Sequence, residues 1–406
     1  MTNPSKQRSA IIVGGSLGGL FAANFLMKQG WRVDIFERVP EELAGRGAGI
    51  VTHPELLEAL VAAGIPIDAS IGVEVDSRIA LAQSGDVMLE STLPQTLTAW
   101  GKMYHLLRSA FPDPHYHSGS SVVTVLDETT HAAVVLADGS RHEADMVIAA
   151  DGFRSITRQQ FLPEVNLQYA GYIAWRGLVE ESELSADTRT TLLDKFAFGL
   201  PPREQIIGYP VAGYSNSVEP GERRYNFVWY RTCDNEALRD LLTDATGKRF
   251  EGGIPPTLIR QDVLEQMYDA AHSLLAPQFA EVVTKTPQPL FQPIFDLEVP
   301  RMNFGRVALL GDAAFVARPH CGMGVTKAAG DALTLVNELN AHASVQEALV
   351  EYSAKRCRFG KAVVRHARHL GAYMQAQLND SEREVAELHR TPEAVMKETA
   401  VPVAFQ

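Results

Sequence analysis

The chain has 406 residues, 46% of them hydrophobic and 21% charged, and a formal net charge of −12. That length calls for two or three domains, and the acidic balance excludes nucleic acid or an anionic membrane as a general partner. The three cysteines, Cys233, Cys321 and Cys357, match neither a metal spacing nor a disulfide framework, and no apolar run nears the ~20 residues of a membrane span.

A cytoplasmic chain without a metal is therefore expected, and the start MTNPSKQRSAIIVGG meets glycines too early for a signal peptide. Residues 10–13 (AIIV) read as a short buried strand, followed at once by GGSLGG. Leu20, Ala23 and Met27 mark the face of a helix that stops at Gly30, and WRVDIFER (31–38) is a second strand ending in Glu37. This β-α-β unit implies parallel pairing. PELLEALVAAG is another helix, from Pro54 to Gly64.

Residues 70–98 switch to alternating, turn-separated segments, read as antiparallel strands, and 102–111 read as helical. SSVVTVLDE and AAVVLADGS form a hairpin-like pair, and ADMVIAADG is a buried strand ending in Asp-Gly. From about 168 to 287 strands dominate (GYIAWRGLV, KFAFGL, QIIGYPV, YNFVWYR), with charged helical stretches at 235–250 and 259–273. Strand 306–310 precedes a helix with Val325, Ala328, Ala329, Ala332, Val336 and Leu339 on one face.

Residues 344–378 read as one long basic helix or a helix pair. Its Lys355, Arg356, Arg358, Lys361, Arg365 and Arg368 form a solvated face or, alternatively, an interaction surface. The tail 380–406 is expected to be partly disordered or docked at a dimer interface.

Three motifs carry chemistry. In Gly14-Gly15-Ser16-Leu17-Gly18-Gly19, Gly14 and Gly19 stand at the first and third glycines of G-x-G-x-x-G, and small Ser16 replaces the second. The tight turn and helix dipole suit a pyrophosphate, and Glu37, 23 residues after Gly14, suits a ribose. In ADMVIAADGFRSITR, Asp151-Gly152 is either a plain turn or a nucleotide contact with Arg154 and Arg158 as anion partners. In GDAAFVARPHCGMG, Gly311-Asp312 ends a buried strand and offers a carboxylate to a second ribose. Gly322-Met323-Gly324 and the helix start then offer N–H groups to negative charge on a planar ring.

In this order, GGSLGG (14–19), ADG-R-S (150–155) and GDAA…PHCGMG (311–324) resemble the motifs of the FAD-dependent aromatic hydroxylases, the single-component flavoprotein monooxygenases, over roughly residues 1–370. The resemblance implies an α/β fold. A Rossmann-like FAD-binding domain would be built from 1–69, 99–167 and 288–343, and an inserted, mostly antiparallel β-sheet substrate domain from 70–98 and 168–287. C-terminal helices would span 344–406. It implies FAD, NADH or NADPH as a transient electron donor, O2 as co-substrate, a flavin C4a-hydroperoxide as oxygen donor, a small aromatic substrate and a homodimer.

Carried over, Gly14, Ser16 and Gly19 would meet the pyrophosphate with Gly15 and Leu17, and Glu37 the adenosine ribose, with Arg38 and Val122 also in the cofactor set. Arg46 would lie on the flavin side, and Arg108 or Lys102 would stand for the family's helix arginine. Asp151 and Arg154 serve FAD and the nicotinamide nucleotide. Gly311 and Asp312 would hold the ribityl chain, and Pro319, Gly322, Met323, Gly324 and Val325 the ring edge. Phe315 and Thr326 depart from a frequent histidine and asparagine.

For the substrate the candidates are His320, His53, Tyr209 and Tyr230. A histidine can take or share a phenol-like proton, although His53 alternatively caps the helix from Pro54. Cys321 reads as pocket lining. GYIAWRG (171–177), YPVAG (209–213), NFVWY (226–230) and RPH (318–320) point within the family to hydroxylated pyridines. The first expectation is 3-hydroxylation of 2,6-dihydroxypyridine in nicotine breakdown. The alternatives are 6-hydroxynicotinate, 6-hydroxy-3-succinoylpyridine or a phenol. Trp31, Trp100, Trp175 and Trp229 cannot form the WxWxIP motif of flavin halogenases. A flavin-binding sensor without turnover and a NAD-dependent dehydrogenase are the readings from other classes.

Overall fold

A computed structural model describes residues 7–43, 49–214 and 216–402. Arg46 lies outside them. Among the described residues the strands form three sheets. The first runs, in order, Asn303–Phe304, Val307–Leu309, Met146–Ala149, Ser9–Val13, Arg32–Phe36 and Tyr116–His117. Ser9–Val13 pairs in parallel with both Arg32–Phe36 and Met146–Ala149, and Val307–Leu309 extends the parallel set. These strands are short apolar runs because both faces are covered, one by helices and the other by a three-stranded sheet. The Leu17–Lys28 and Gly324–Ala341 helices pack on each other beside them.

The second sheet holds nine strands in the order Phe315–Val316, Leu290–Glu298, Gln168–Glu180, Arg224–Thr232, Gln205–Val211, Lys195–Gly199, Val73–Leu81, Val87–Ala99 and Gly49–Thr52. It is mostly antiparallel, with Lys195–Gly199 parallel to Val73–Leu81. One face buries Trp175, Phe227 and Trp229 under the helices Gln261–Leu274 and Pro277–Thr284. The other buries Tyr172, Ala174, Tyr209, Val228 and Tyr230, and the C-terminal segment packs over it. A three-stranded sheet, Val122–Asp127, Ala132–Leu136 and Arg141–Ala144, completes the set.

Several expectations are corrected here. Leu290–Glu298 and Gly49–Thr52 were assigned with the FAD-binding segments, yet both hydrogen-bond into the nine-stranded sheet. Only Asn235–Leu241 of 235–250 is helical, since a Thr243–Arg249 bridge closes a turn. The basic segment is one helix, Val345–Gly371, and its cations are not a uniform solvated face. Arg356 is buried and donates to Asp331, while Arg368 reaches Asp296 and Glu298. Arg356 falls on the stripe of Tyr352, Ser353 and Gly360 that faces the core, so the period of the helix buries it.

The tail is helical rather than disordered over its described residues, and part of it packs on this chain. Asp380–His389 starts with a capping box at Asn379 and Glu382, and Pro392–Glu398 follows. The end of this helix and the residue after it lock onto this chain's own sheet through Arg78, which is fully buried and donates to the carbonyls of Met396 (2.6 Å) and Thr399 (2.7 Å).

On the opposite face, Glu281 joins two helices by accepting from Ser185 N at 2.8 Å, from Ser185 and Thr188 hydroxyls, and from Lys285. Burial alone would raise its carboxyl, but Lys285, Thr188 and Ser185 hold it down at about 2, from an ordinary 4.5. A depressed carboxylate stabilises above its unfolded value, and that stability is lost as pH falls from about 4.5 toward 2. Glu281→Gln is therefore expected to cost on the order of 2 kcal/mol at neutral pH and much less at pH 3. Urea unfolding at the two pH values checks this, and an equal loss at both refutes it.

Candidate active site

The end of the first strand is built for close approach. Gly14 has φ +101°, and a Cβ there would sit 2.5 Å from the Ala150 carbonyl oxygen. A Cβ on Gly19 would fall 2.0 Å from the Gly14 carbonyl oxygen, so helix and turn touch backbone to backbone. Ser16 caps the Leu17–Lys28 helix without a side-chain bond, and its first turn holds no acid, which leaves the positive helix end uncompensated. Glu37 is buried and accepts from Gly15 N (2.8 Å) and Val39 N (2.9 Å), while Arg38 beside it is exposed.

Arg108 stacks 4.3 Å over the Tyr116 ring and pairs with Asp113. With Pro40, Tyr104 and Tyr116 it lines a cavity of about 600 Å³. Lys102 instead reaches Ser70, so Arg108 is the cation on this side. Tyr116 donates to the Gly15 carbonyl at 3.1 Å. Val122 is buried in the core, where it starts the three-stranded sheet opposite Leu136.

Met146–Ala149 delivers Asp151 to the same end. Its Oδ2 accepts from Thr157 N and Oγ1, both at 3.2 Å, while Oδ1 is buried without a partner. Burial raises its carboxyl above the usual range despite those bonds. Gly152, at φ +78°, opens onto free space. Arg154 is exposed and donates to the Glu251 carbonyl at 2.6 Å. Arg158 does not open toward a ligand. It is buried and spends its guanidinium on the carbonyls of Phe153 (2.7 Å) and Ala313 (3.2 Å), pinning the Asp-Gly turn to the Gly-Asp turn.

Gly311 has φ +65° and donates to Asp331 at 3.0 Å. Asp312 keeps 51% of its side chain open, and the surrounding protein raises its carboxyl while Lys327 pulls it down. Lys327 is buried, lacks a hydrogen-bond partner, and sits 3.8 Å from both Asp312 and Asp331. Pro319–Cys321 turns into Gly322 at φ +64°, and buried Met323 precedes the Gly324–Ala341 helix. A Cβ on Gly324 would meet nothing within 4 Å. Val325 is half-buried beside it. Of the two family departures, Phe315 packs against Gly360, and Thr326 bonds His53 Nδ1 at 3.2 Å.

His320 is buried, with Nε2 2.7 Å from the Tyr172 hydroxyl and its ring centroid 4.3 Å from that of Tyr230. Burial, then Arg318 and Arg176, push its pKa down to about 3. Its imidazole is thus neutral across the working pH range. This corrects its reading as a near-neutral titrating group, because the cage of rings removes the water that would solvate a charge. Tyr209 stacks on Phe196 at 5.0 Å, two strands from Tyr172, and burial pushes its hydroxyl up to about 12. His53 precedes the Pro54–Ala63 helix, but its ring does not cap it. The structure therefore brings His320 and Tyr230 together, with Tyr209 further along the same sheet face and His53 at Thr326.

Residues 7–185 and 283–367 match a family described as an FAD binding domain, and 169–296 match a family described as FAD binding domain-like. The 2,6-dihydroxypyridine 3-monooxygenase of Paenarthrobacter nicotinovorans is 32% identical across 92% of this chain and 93% of its own. The chain belongs to the FAD-dependent aromatic hydroxylases.

Two further likenesses sit beside that one. The 6-hydroxynicotinate 3-monooxygenase of Pseudomonas fluorescens is 27% identical over 87% of this chain and 89% of its own. The solved 2,6-dihydroxypyridine-3-hydroxylase from Arthrobacter nicotinovorans matches with a TM-score of 0.85 at 31% identity, covering 91% of this chain and 93% of that one.

The hydroxylase binds FAD, and its residues fit that group. The Asp151 carboxylate is half-unpartnered, the Lys327 ammonium lacks a hydrogen bond, and Gly152 and Gly324 keep open space where any side chain would intrude. Sequence reasoning missed Tyr172, Arg176, Asn226 and Lys327. The period-two alternation of GYIAWRG does place Tyr172, Ala174 and Arg176 on one sheet face, which was the available signal.

Proposed function

We propose that this hydroxylase uses NADH or NADPH and O2 to hydroxylate a hydroxylated pyridine, with 2,6-dihydroxypyridine, taking oxygen at C3, as the first candidate. The observation that carries this reading is the buried His320–Tyr172–Tyr230 cluster, with the flavin loop running through it. The likeness to a dihydroxypyridine monooxygenase over almost the whole chain supports it. The 6-hydroxynicotinate relative supports a 3-substituted 6-hydroxypyridine as the second reading. A homodimer in the cytoplasm belongs to the proposal. Among the described residues no helix is long and apolar enough to cross a membrane.

When bound, FAD supplies hydride acceptance from the nicotinamide and oxygen transfer to the ring. The chain's own part is to hold, to orient and to exclude water. The Gly14–Gly19 turn and the open helix end at Ser16 receive the pyrophosphate, and Glu37 orients the adenosine ribose. Gly311 and Asp312 take the ribityl chain. The N-terminus of Gly324–Ala341 directs its dipole at negative charge on the ring. His320, Tyr172 and Tyr230 form a water-poor wall for the substrate.

The test follows NADH oxidation and O2 uptake with hydroxypyridines and phenols, with product mass as the readout. 2,6-Dihydroxypyridine is expected to accelerate both and to gain one oxygen atom. If no hydroxypyridine gains oxygen, the substrate reading fails.

A further inference from the structure

On the sheet face that meets the flavin loop, several buried polar atoms have no partner in the protein. They include Arg176 Nε, Asn226 Nδ2 and His320 Nδ1. The register places them together. Arg176 pairs with Val228, which puts Asn226 and Tyr230 at the two diagonal positions, roughly 7–8 Å away. Tyr230 packs against His320, the ring planes tilted by 53°.

Two of the three are oriented by their other contacts. Asn226 Oδ1 accepts from Gly49 N at 3.3 Å, so the amide side left free is the donor. Arg318, held by Asp296, sets its guanidinium 5.6 Å from the Tyr172 ring centroid. Burial raises the Tyr172 hydroxyl's pKa, so it keeps a proton that it can give to His320 Nε2, 2.7 Å away. A neutral imidazole that accepts at Nε2 carries its proton at Nδ1.

We infer that this cluster recognises the substrate through hydrogen-bond donors: Arg176, Asn226 and the Nδ1–H of His320, with Tyr172 the positioning residue that fixes the imidazole as a donor. The ring must then arrive bearing acceptor oxygens, an oxyanion above all. Leaving such buried donors unpaired is costly, so a ligand that presents amines in place of oxygens is rejected. This rests on the hydroxylase reading and narrows it to the chemistry of the ring's substituents. His320 here is a hydrogen-bond donor rather than a base.

The experiment uses the FAD-loaded, oxidised protein without NADH. Binding of 2,6-dihydroxypyridine and of 2,6-diaminopyridine, which swaps oxygens for amines on one ring, is read from the flavin absorbance. The dihydroxy ligand is expected to bind about tenfold tighter or more. Arg176→Met and Asn226→Leu are each expected to remove most of that preference while flavin content holds.

Two-bond ¹H–¹⁵N spectra of labelled protein are expected to show His320 as the Nδ1–H tautomer, moving toward Nε2–H in Tyr172→Phe. Equal binding of the two ligands, binding of neither, a preference that survives both variants, or an Nε2–H wild-type ring overturns the inference. If a hydroxypyridine is oxygenated while the amine binds as well, the donor pocket falls and the proposed function stands. If oxygenation fails while the preference holds, the reverse is true.

Discussion

Arg78→Met is expected to loosen the C-terminal segment and lower stability by about 3 kcal/mol, because a chain of similar volume replaces the donor that several buried acceptors share. Arg78 is fully buried on the Val73–Leu81 strand and gives hydrogen bonds to the carbonyls of Met396, Thr399 and Ala400 and to Gln95. Its ion-pair role is taken by carbonyls at the C-terminal end of the Pro392–Glu398 helix, where a cation complements the dipole. Burial lowers its pKa to about 10, so it stays charged at neutral pH. Ala400 in turn donates to the His320 carbonyl at 2.7 Å, which ties the segment to the flavin loop. Trypsin is expected to cut after exposed Lys397 far faster in the variant, with a lower urea midpoint. Wild-type cleavage and an unmoved midpoint together would show that Arg78 is not the latch.

Gly19→Ala is expected to yield a protein that hardly retains flavin. The new methyl would sit 2.0 Å from the Gly14 carbonyl oxygen and 3.2 Å from Ile12. Backbone cannot swing aside as a side chain does, so the Leu17–Lys28 helix has to move off the turn. Overpacking of this kind costs on the order of 3 kcal/mol. If that displacement is charged to cofactor binding, affinity falls by about two decades. Flavin content after gel filtration and titration of the apoprotein with FAD measure the loss. Unchanged affinity would show that helix and turn need not touch to hold the pyrophosphate.

Much of the nucleotide end was legible because its constraints are local. Gly14, Gly19 and the helix behind them lie within one β-α-β unit, and turn geometry demands those residue types in that order. The contacts that decide the substrate end are not local. His320 bonds Tyr172 across 148 residues, and Arg78 reaches Ala400 across 322. Nothing in RPHCG states that its histidine will be sealed among tyrosines and kept neutral. Arg158 shows the same limit from the other side. Its position in a nucleotide motif suggested an anion, whereas carbonyls on two neighbouring turns take both of its terminal nitrogens. The strand Leu290–Glu298 went unassigned to the large sheet because its partner in the Gln168–Glu180 strand lies far back in the chain and the pairing slips by a bulge.

The order of strands in the six-stranded sheet also governs how the molecule is made. Met146–Ala149 lies between Ser9–Val13 and Val307–Leu309. On the ribosome its first neighbour is ready early, but its second emerges only after nearly all of the nine-stranded sheet has been synthesised. Throughout that interval a strand that ends fully buried offers a bare apolar edge to any other nascent chain. Production of the protein therefore turns on shielding that edge during translation, a kinetic demand that the finished enzyme no longer displays.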